Sequence, residues 1–128
     1  MSSEELTRIL YVEDEPDIQA VAKLALEQVG GFTLEVCSSG KEAIDKAEDF
    51  DPQLVLLDVM MPEMDGPTTL LNLRKMDSFQ RIPVVFMTAK VQPQEIEEYR
   101  AMGAAEVIAK PFDPMALSDQ IRTIWAAV

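Results

Sequence analysis

The sequence contains no histidine, only one cysteine and few basic residues. Without histidine, zinc sites of the Cys/His type and Ser-His or Cys-His nucleophile pairs are excluded. Because Cys37 has no partner in the chain, an intrachain disulfide is impossible, and a reducing, cytoplasmic location fits this composition. Eleven lysines and arginines stand against 23 aspartates and glutamates, a net charge of −12. We therefore expect no direct binding to nucleic acid.

The chain also lacks a long apolar run. No stretch approaches the roughly 20 apolar residues that cross a bilayer. The opening residues MSSEELTR carry acids where a signal peptide carries bases, so we expect no membrane association. A length of 128 residues corresponds to one domain. We expect a single domain over residues 1–128, with its core from about residue 8 and no output domain after the last helix.

Five short apolar runs predict the strands. Four of them are continuous rather than alternating, at residues 9–12, 54–57, 84–87 and 107–109. Continuous runs are typical of strands that are buried on both faces of a parallel sheet. The fifth run, residues 32–37, alternates between apolar and polar residues, which predicts a less buried strand near a sheet edge.

Segments with helical periodicity separate these runs. The first apolar stripe stops before Gly30 and Gly31, and Ser39 followed by Glu42 is typical of a capping box. Asp113 followed by proline predicts the start of the fifth helix. Strands and helices therefore alternate five times. This order predicts an α/β fold with a parallel sheet, right-handed crossovers and helices on both faces.

The residues that follow the predicted strands carry the candidate chemistry, because ligands of open parallel sheets bind at the carboxyl ends of the strands. These residues are Glu13 and Asp14 after the first strand, Asp58 after the third, Thr88 after the fourth and Lys110 after the fifth. The first turn is acidic and has no glycine, and the sequence around Gly40 does not match a P-loop. Dinucleotide, flavin and P-loop sites are therefore excluded.

The three acids would repel one another if the strand ends converge. Two carboxylates 4 Å apart repel by about 4 kcal/mol at an effective dielectric constant near 20. Either one acid stays protonated or a hard cation neutralises the cluster, and carboxylates without histidine or cysteine favour Mg²⁺. Lys110 and Thr88 then suit the oxygen atoms of a phosphoryl group. The best acceptor for that group is a carboxylate beside the metal.

These segments resemble the receiver domains of two-component response regulators, from about Arg8 to the C terminus. The resemblance rests on the segments ILYVEDE, LLDVMMPEMDG, VVFMTA and GAAEVIAKPF, which occur in this order at strand ends. It implies a flavodoxin-like, doubly wound sheet of strand order 2-1-3-4-5 with five helices. It also implies a phosphorylation-dependent switch, which accepts a phosphoryl group from a sensor histidine kinase or phosphotransfer protein and relays the signal through protein contacts.

The resemblance also implies a role for each site residue. Asp58 is the phosphoacceptor, Thr88 the switch hydroxyl and Lys110 the phosphate contact. The implied Mg²⁺ ligands are Asp14, Asp58, the backbone carbonyl of Met60 and, through water, Glu13. Such a protein promotes its own phosphorylation and dephosphorylation and is no enzyme with a separate substrate. In this family the bond before Pro111 is cis. The kinase contact is expected on the first helix and residues 110–114, and the effector surface on the fourth helix.

Two positions depart from the family pattern. Glu13 stands where aspartate is commoner, and Val107 stands where most members carry a tyrosine or phenylalanine that moves with the switch. Two other function classes stay open. One is a Mg²⁺-dependent phosphohydrolase that uses an aspartyl phosphate and often has a second acid at the position of Met60. The other is a receiver-like adaptor that takes no phosphate. The effector protein is unknown, and both a monomer and a phosphorylation-linked dimer are possible.

Overall fold

Five parallel strands form a single sheet in the computed structural model, which describes residues 4–128. The strands are β1 (Arg8–Val12), β2 (Thr33–Cys37), β3 (Leu54–Asp58), β4 (Val84–Thr88) and β5 (Glu106–Ala109). Hydrogen bonds join them in the order β2-β1-β3-β4-β5. The predicted parallel sheet and its strand order are therefore confirmed. The alternating run becomes the edge strand β2, as its pattern predicted.

Helices connect the strands within residues 4–128. They are α1 (Pro16–Lys23), α2 (Gly40–Phe50), α3 (Gly66–Arg74), α4 (Pro93–Ala101) and α5 (Leu117–Ala127), and a short 3-10 turn (Asp77–Phe79) precedes β4. The chain after α1 continues as a π-helical segment, Leu24–Val29. There the Gly30 N–H donates to the carbonyl of Ala25, five residues earlier, at 3.1 Å. In the part of the chain described, no helix has both the length and the apolar character to cross a bilayer.

Two helix starts test the capping predictions. The Ser39 hydroxyl accepts a hydrogen bond from the N–H of Glu42 at 3.1 Å, which confirms one half of the predicted capping box of α2. The other half differs, because the Glu42 carboxylate accepts from the N–H of Ser38, at 3.2 Å, and not from that of Ser39. The predicted start of the fifth helix at Asp113 is wrong, because α5 begins at Leu117. The Asp113 carboxylate accepts from the N–H of Met115 at 2.9 Å, and this contact closes a local turn before the helix.

The core consists of two apolar layers, one on each face of the sheet. Successive strand residues alternate between them, so Leu10 lies in the layer covered by α2, α3 and α4, and Tyr11 lies in the layer covered by α1 and α5. Every residue of β3 and β4 is buried. Because a buried side chain of leucine or phenylalanine contributes roughly 1.5–3 kcal/mol, these central strands provide a firm frame for the residues at their ends.

A close backbone approach fixes the path from β3 into α3. The Gly66 N–H donates to the carbonyl of Val59 at 2.9 Å. A Cβ atom at position 66 would lie 2.6 Å from the carbonyl oxygen of Asp58, so glycine is required there. The Asp65 carboxylate caps the helix by accepting from the N–H of Thr68 at 2.9 Å. These contacts hold the end of β3, which carries Asp58.

Candidate functional site

Three acidic side chains meet at the carboxyl ends of β1 and β3. Glu13 and Asp14 follow β1, Asp58 is the last residue of β3, and one carboxylate oxygen of each lies within 4.8 Å of the others. The strand order reverses between β1 and β3, since β2 lies on one side of β1 and the remaining strands lie on the other. This is the position where open α/β sheets bind ligands. The structure thus brings the predicted acids together.

Lys110 supplies the positive charge of the cluster. It is the residue after β5, and its peptide bond to Pro111 is cis, as the family resemblance implied. Its ammonium group donates to Oε1 of Glu13 at 3.0 Å and to Oδ1 of Asp58 at 3.1 Å. The side chain of Glu13 is 0% exposed and that of Asp58 is 4% exposed, so both ion pairs are shielded from water. Removing one partner of such a buried pair costs about 3–5 kcal/mol.

One ammonium group does not fully offset the burial of the acids. Burial raises the pKa of Glu13 to about 7; the charge of Asp58 adds to this effect and Lys110 opposes it. Burial also raises the pKa of Asp58, again against the hydrogen bond and charge of Lys110. For Lys110, burial alone would lower the pKa, but hydrogen bonds to Glu13 and Asp58 outweigh it and raise the pKa. The cluster therefore favours an additional proton or cation.

The donor set fits a hard divalent cation. The cluster found within residues 4–128 consists of the carboxylates of Glu13, Asp14 and Asp58. Oxygen ligands select Mg²⁺ or Ca²⁺ over zinc and copper, and Mg²⁺ is commonly held by one or two carboxylates together with phosphate oxygens and water. Met60 lies on the loop after β3, and the role of its carbonyl as a ligand stays a prediction.

Thr88 ends β4 and is 2% exposed. Its carbonyl accepts from the backbone N–H of Lys110 at 2.9 Å, which ties it to the segment that carries the site's cation. Its hydroxyl accepts from the N–H of Lys90 at 3.0 Å, so the hydroxyl proton remains available to donate. In the described chain no hydrogen bond links the Thr88 hydroxyl to the side chains of Asp58 or Lys110.

The sequence analysis missed two residues beside the acids. The side-chain amide of Gln19 donates to the carbonyl of Glu13 and, at 3.1 Å, to the hydroxyl of Ser38. Tyr11 is fully buried two residues before Glu13, and its phenol oxygen has no hydrogen-bond partner among residues 4–128. Strand alternation gives a signal for Tyr11, because residues two apart on a strand point to the same face. No sequence pattern indicates the contact of Gln19.

The chain matches a known family over most of its length. Residues 9–122 match the response regulator receiver domain. The chain is 36% identical over 119 residues to the response regulator Rre1 of Synechocystis sp.. This alignment covers 92% of this chain and 51% of that protein. It is 32% identical over 117 residues to the alkaline phosphatase synthesis transcriptional regulatory protein PhoP of Bacillus subtilis, covering 91% and 48%. The chain thus spans about half the length of these relatives.

Solved structures show the same fold. Chemotaxis protein CheY4 of Vibrio cholerae has a TM-score of 0.86 at 26% identity, with 94% of this chain and 99% of that chain covered. The N-terminal domain of a response regulator receiver protein from Methanoculleus marisnigri has a TM-score of 0.75 at 36% identity, with coverages of 95% and 98%. This chain belongs to the receiver domain family of two-component response regulators.

We expect the metal-free protein to lose thermal stability as the pH rises from 4.5 to about 7. An unfolded glutamate ionises near pH 4.5, whereas burial raises the pKa of folded Glu13 to about 7. The unfolded state releases its proton first, so rising pH favours unfolding through this window. The raised pKa corresponds to at most about 3 kcal/mol. Melting curves recorded in chelator across this range measure the slope.

Two variants show which carboxylate causes the decrease of melting temperature with pH. Glu13→Gln removes the titrating group and should flatten the decline, and the slope that remains comes from Asp58, whose pKa is also raised. Glu15→Gln removes an exposed carboxylate from the same loop and should keep the wild-type slope. A Glu13→Gln variant with an unchanged slope would contradict the raised pKa of Glu13.

Proposed function

We propose that this receiver domain is a phosphorylation-dependent signalling switch with Asp58 as its phosphoacceptor. The proposal is carried by the position of the Asp58 carboxylate. It is buried at the end of β3, 3.1 Å from the ammonium group of Lys110 and within an acid cluster that suits a divalent cation. Nearby cations reduce the repulsion between a carboxylate and an incoming phosphoryl group. The donor is a sensor histidine kinase or a phosphotransfer protein.

The acidic residues have different roles in metal binding and phosphoryl transfer. Asp14, Asp58 and the backbone carbonyl of Met60 would hold Mg²⁺, with Glu13 acting through water. When bound, Mg²⁺ supplies positive charge that the carboxylates and the phosphoryl oxygens share. One oxygen of Asp58 attacks the phosphorus of the donor's phosphohistidine and forms the acyl phosphate bond, while the donor imidazole leaves. Water later hydrolyses this bond, which returns Asp58 and inorganic phosphate.

Lys110 and Thr88 donate hydrogen bonds to the new phosphoryl group. The Lys110 ammonium, already beside Asp58, donates a charge-assisted hydrogen bond to one phosphoryl oxygen. The Thr88 hydroxyl, whose proton is not used in its contact with Lys90, donates to another. Drawing Thr88 toward Asp58 moves the end of β4, and this displacement is the proposed start of the switch.

An aromatic contact offers a path from β4 to α4. The ring of Phe86 on β4 meets the ring of Tyr99 on α4 edge-on, with centroids 5.5 Å apart and planes at 86°. Val107 on β5 is the register partner of Phe86 and lies in the same apolar layer. Because β4 carries both Thr88 and Phe86, a shift of its end alters the packing against α4. We assign the effector surface to α4, with Tyr99 taking the aromatic part that Val107 does not supply.

A groove beside Lys110 suits a docking helix of the kinase or phosphotransfer protein. This groove has a volume of about 260 Å³ and is lined by Asp17, Ile18, Val21, Lys110, Pro111 and Phe112. It joins α1 to the segment after β5, and it includes the residue that contacts Asp58. A helix held there would present its phosphohistidine to the acid cluster. The same partner class fits a cytoplasmic location.

The site favours the switch over the two alternative classes. A phosphohydrolase of the aspartyl-phosphate type often has an acid two residues after its nucleophile, where this chain has the exposed Met60. An adaptor that takes no phosphate has no need for the contact between Asp58 and Lys110. We therefore propose that the protein promotes its own phosphorylation and dephosphorylation without a separate substrate.

Phosphorylation itself is tested with acetyl phosphate and Mg²⁺. We expect the intact mass of the wild type to increase by one phosphoryl group, and chelation of Mg²⁺ to prevent the increase. Asp58→Asn should show no increase, because an amide oxygen is a poor nucleophile. Asp49→Asn, which changes an exposed acid on α2, should be labelled like the wild type. Rapid multiple turnover of unrelated phosphate esters would favour the phosphohydrolase, and no Mg²⁺-dependent response would favour the adaptor.

The role of Lys110 is tested by separating labelling from switching. Lys110→Ala should still accept phosphate, about tenfold more slowly because a hydrogen bond from a charged group is lost. In this variant the hydrogen exchange of α4 should not change, because without Lys110 the phosphoryl group is not held in position to accept from Thr88. Hydrogen exchange of residues 93–101, with and without beryllofluoride, measures the response, and a melting curve verifies folding. Lys23→Ala, at an exposed position, should respond normally. An α4 response of wild-type size in Lys110→Ala would refute this role.

A further inference from the structure

The phenol hydroxyl of Tyr11 is the buried polar side-chain atom without a hydrogen-bond partner among residues 4–128. The residue is 0% exposed and lies in the apolar layer with Leu56, Met87 and Leu117. Buried hydroxyl groups in native proteins nearly always have a partner, and an unpaired one is unfavourable. A second state of the protein in which this hydroxyl is paired would account for its position.

Tyr11 and the two buried acids occupy alternate positions at the ends of neighbouring strands. Glu13 follows Tyr11 by two residues on the β1 side of the site, and Asp58 follows Leu56 by two residues on β3. Tyr11 and Leu56 lie in the same apolar layer, and strand alternation continued by two residues places Glu13 and Asp58 on that side of the sheet. Burial, and after it the charges of Glu13 and Asp58, raise the pKa of the Tyr11 phenol. A phenol hydroxyl is protonated near neutral pH and is available as a donor.

Glu13 is the acid that stands to lose a donor. Its Oε1 accepts from the Lys110 ammonium at 3.0 Å, and its Oε2 has a longer contact with the N–H of Glu15 at 3.3 Å. A phosphoryl group on Asp58 attracts the Lys110 ammonium, which in this structure donates to both Glu13 and Asp58. When the ammonium turns to the phosphoryl oxygens, the buried Oε1 of Glu13 is left without its closest donor while the site gains negative charge.

We propose that the Tyr11 hydroxyl is a second hydrogen-bond donor for Glu13, used when Lys110 turns to the phosphoryl group. The hydroxyl donates directly or through a single buried water. Tyr11 is a positioning residue in this scheme, because it holds the Glu13 carboxylate and touches neither the phosphoryl group nor the metal. The inference rests on the proposed function, since it requires a phosphoryl group on Asp58.

Beryllofluoride with Mg²⁺ stands in for the phosphoryl group and allows a binding measurement. We expect Tyr11→Phe to bind beryllofluoride about tenfold more weakly than the wild type, because it lacks a donor to a charged acceptor. Without beryllofluoride its melting temperature should be unchanged or higher, since the variant keeps the ring and removes an unpaired hydroxyl. Thr123→Ala removes an exposed hydroxyl from α5, away from the site, and should bind like the wild type.

The outcomes separate the two proposals. A wild type that responds to beryllofluoride together with a Tyr11→Phe variant of equal affinity would overturn the role of Tyr11 and leave the proposed function intact. A wild type without any Mg²⁺-dependent response would overturn both. If the hydroxyl had a purely structural role, Tyr11→Phe would melt at a lower temperature both with and without beryllofluoride. This result would overturn the proposal.

A second measurement does not depend on the folding of Tyr11→Phe. The chain has two tyrosines, so the Tyr99→Phe protein has Tyr11 as its single phenol. Ultraviolet resonance Raman spectra of this protein report the hydrogen bonding of that phenol. We expect the bands to change to those of a donating hydroxyl when Mg²⁺ and beryllofluoride are added. Bands that stay the same in an adduct that forms would overturn the inference.

Discussion

The ammonium group of Lys110 joins the ends of three strands, since it reaches from the segment after β5 to Glu13 after β1 and to Asp58 at the end of β3. The two contacts bridge 97 and 52 residues of sequence. This single cation only partly offsets the burial of the acids, so the pKa values of Glu13 and Asp58 stay raised. The remaining deficit of positive charge favours a divalent cation in the cluster, and in the proposed switch a phosphoryl group competes with Glu13 for Lys110.

The fold keeps this charged cluster in place with apolar packing on both sheet faces. Buried β3 holds Asp58, and the close approach of Gly66 fixes the chain just beyond it. The groups with spare hydrogen-bonding capacity lie around this frame. The hydroxyl of Thr88 retains a proton to donate, and that of Tyr11 has no partner in the described chain. In the proposed switch, both hydroxyl groups find acceptors only after Asp58 is phosphorylated.

Much of this arrangement can be predicted from the sequence. Continuous apolar runs reveal buried parallel strands, and acids, a hydroxyl and a lysine at the strand ends indicate the site, because both depend on local pattern and topology alone. The π-helical segment at Leu24–Val29 and the late start of α5 depend on tertiary packing, so capping rules misplace the start at Asp113. The unpaired hydroxyl of Tyr11 is equally invisible in sequence, where a tyrosine in an apolar run indicates only burial.

A crystal structure of the protein with Mg²⁺ and beryllofluoride tests the central role of Lys110 most directly. We predict an adduct on the Asp58 carboxylate, with the Lys110 ammonium about 3 Å from one of its fluorine atoms and no longer bonded to Glu13. An adduct on Asp58 with Lys110 still bonded to Glu13, and with another group contacting the fluorine atoms, would contradict it.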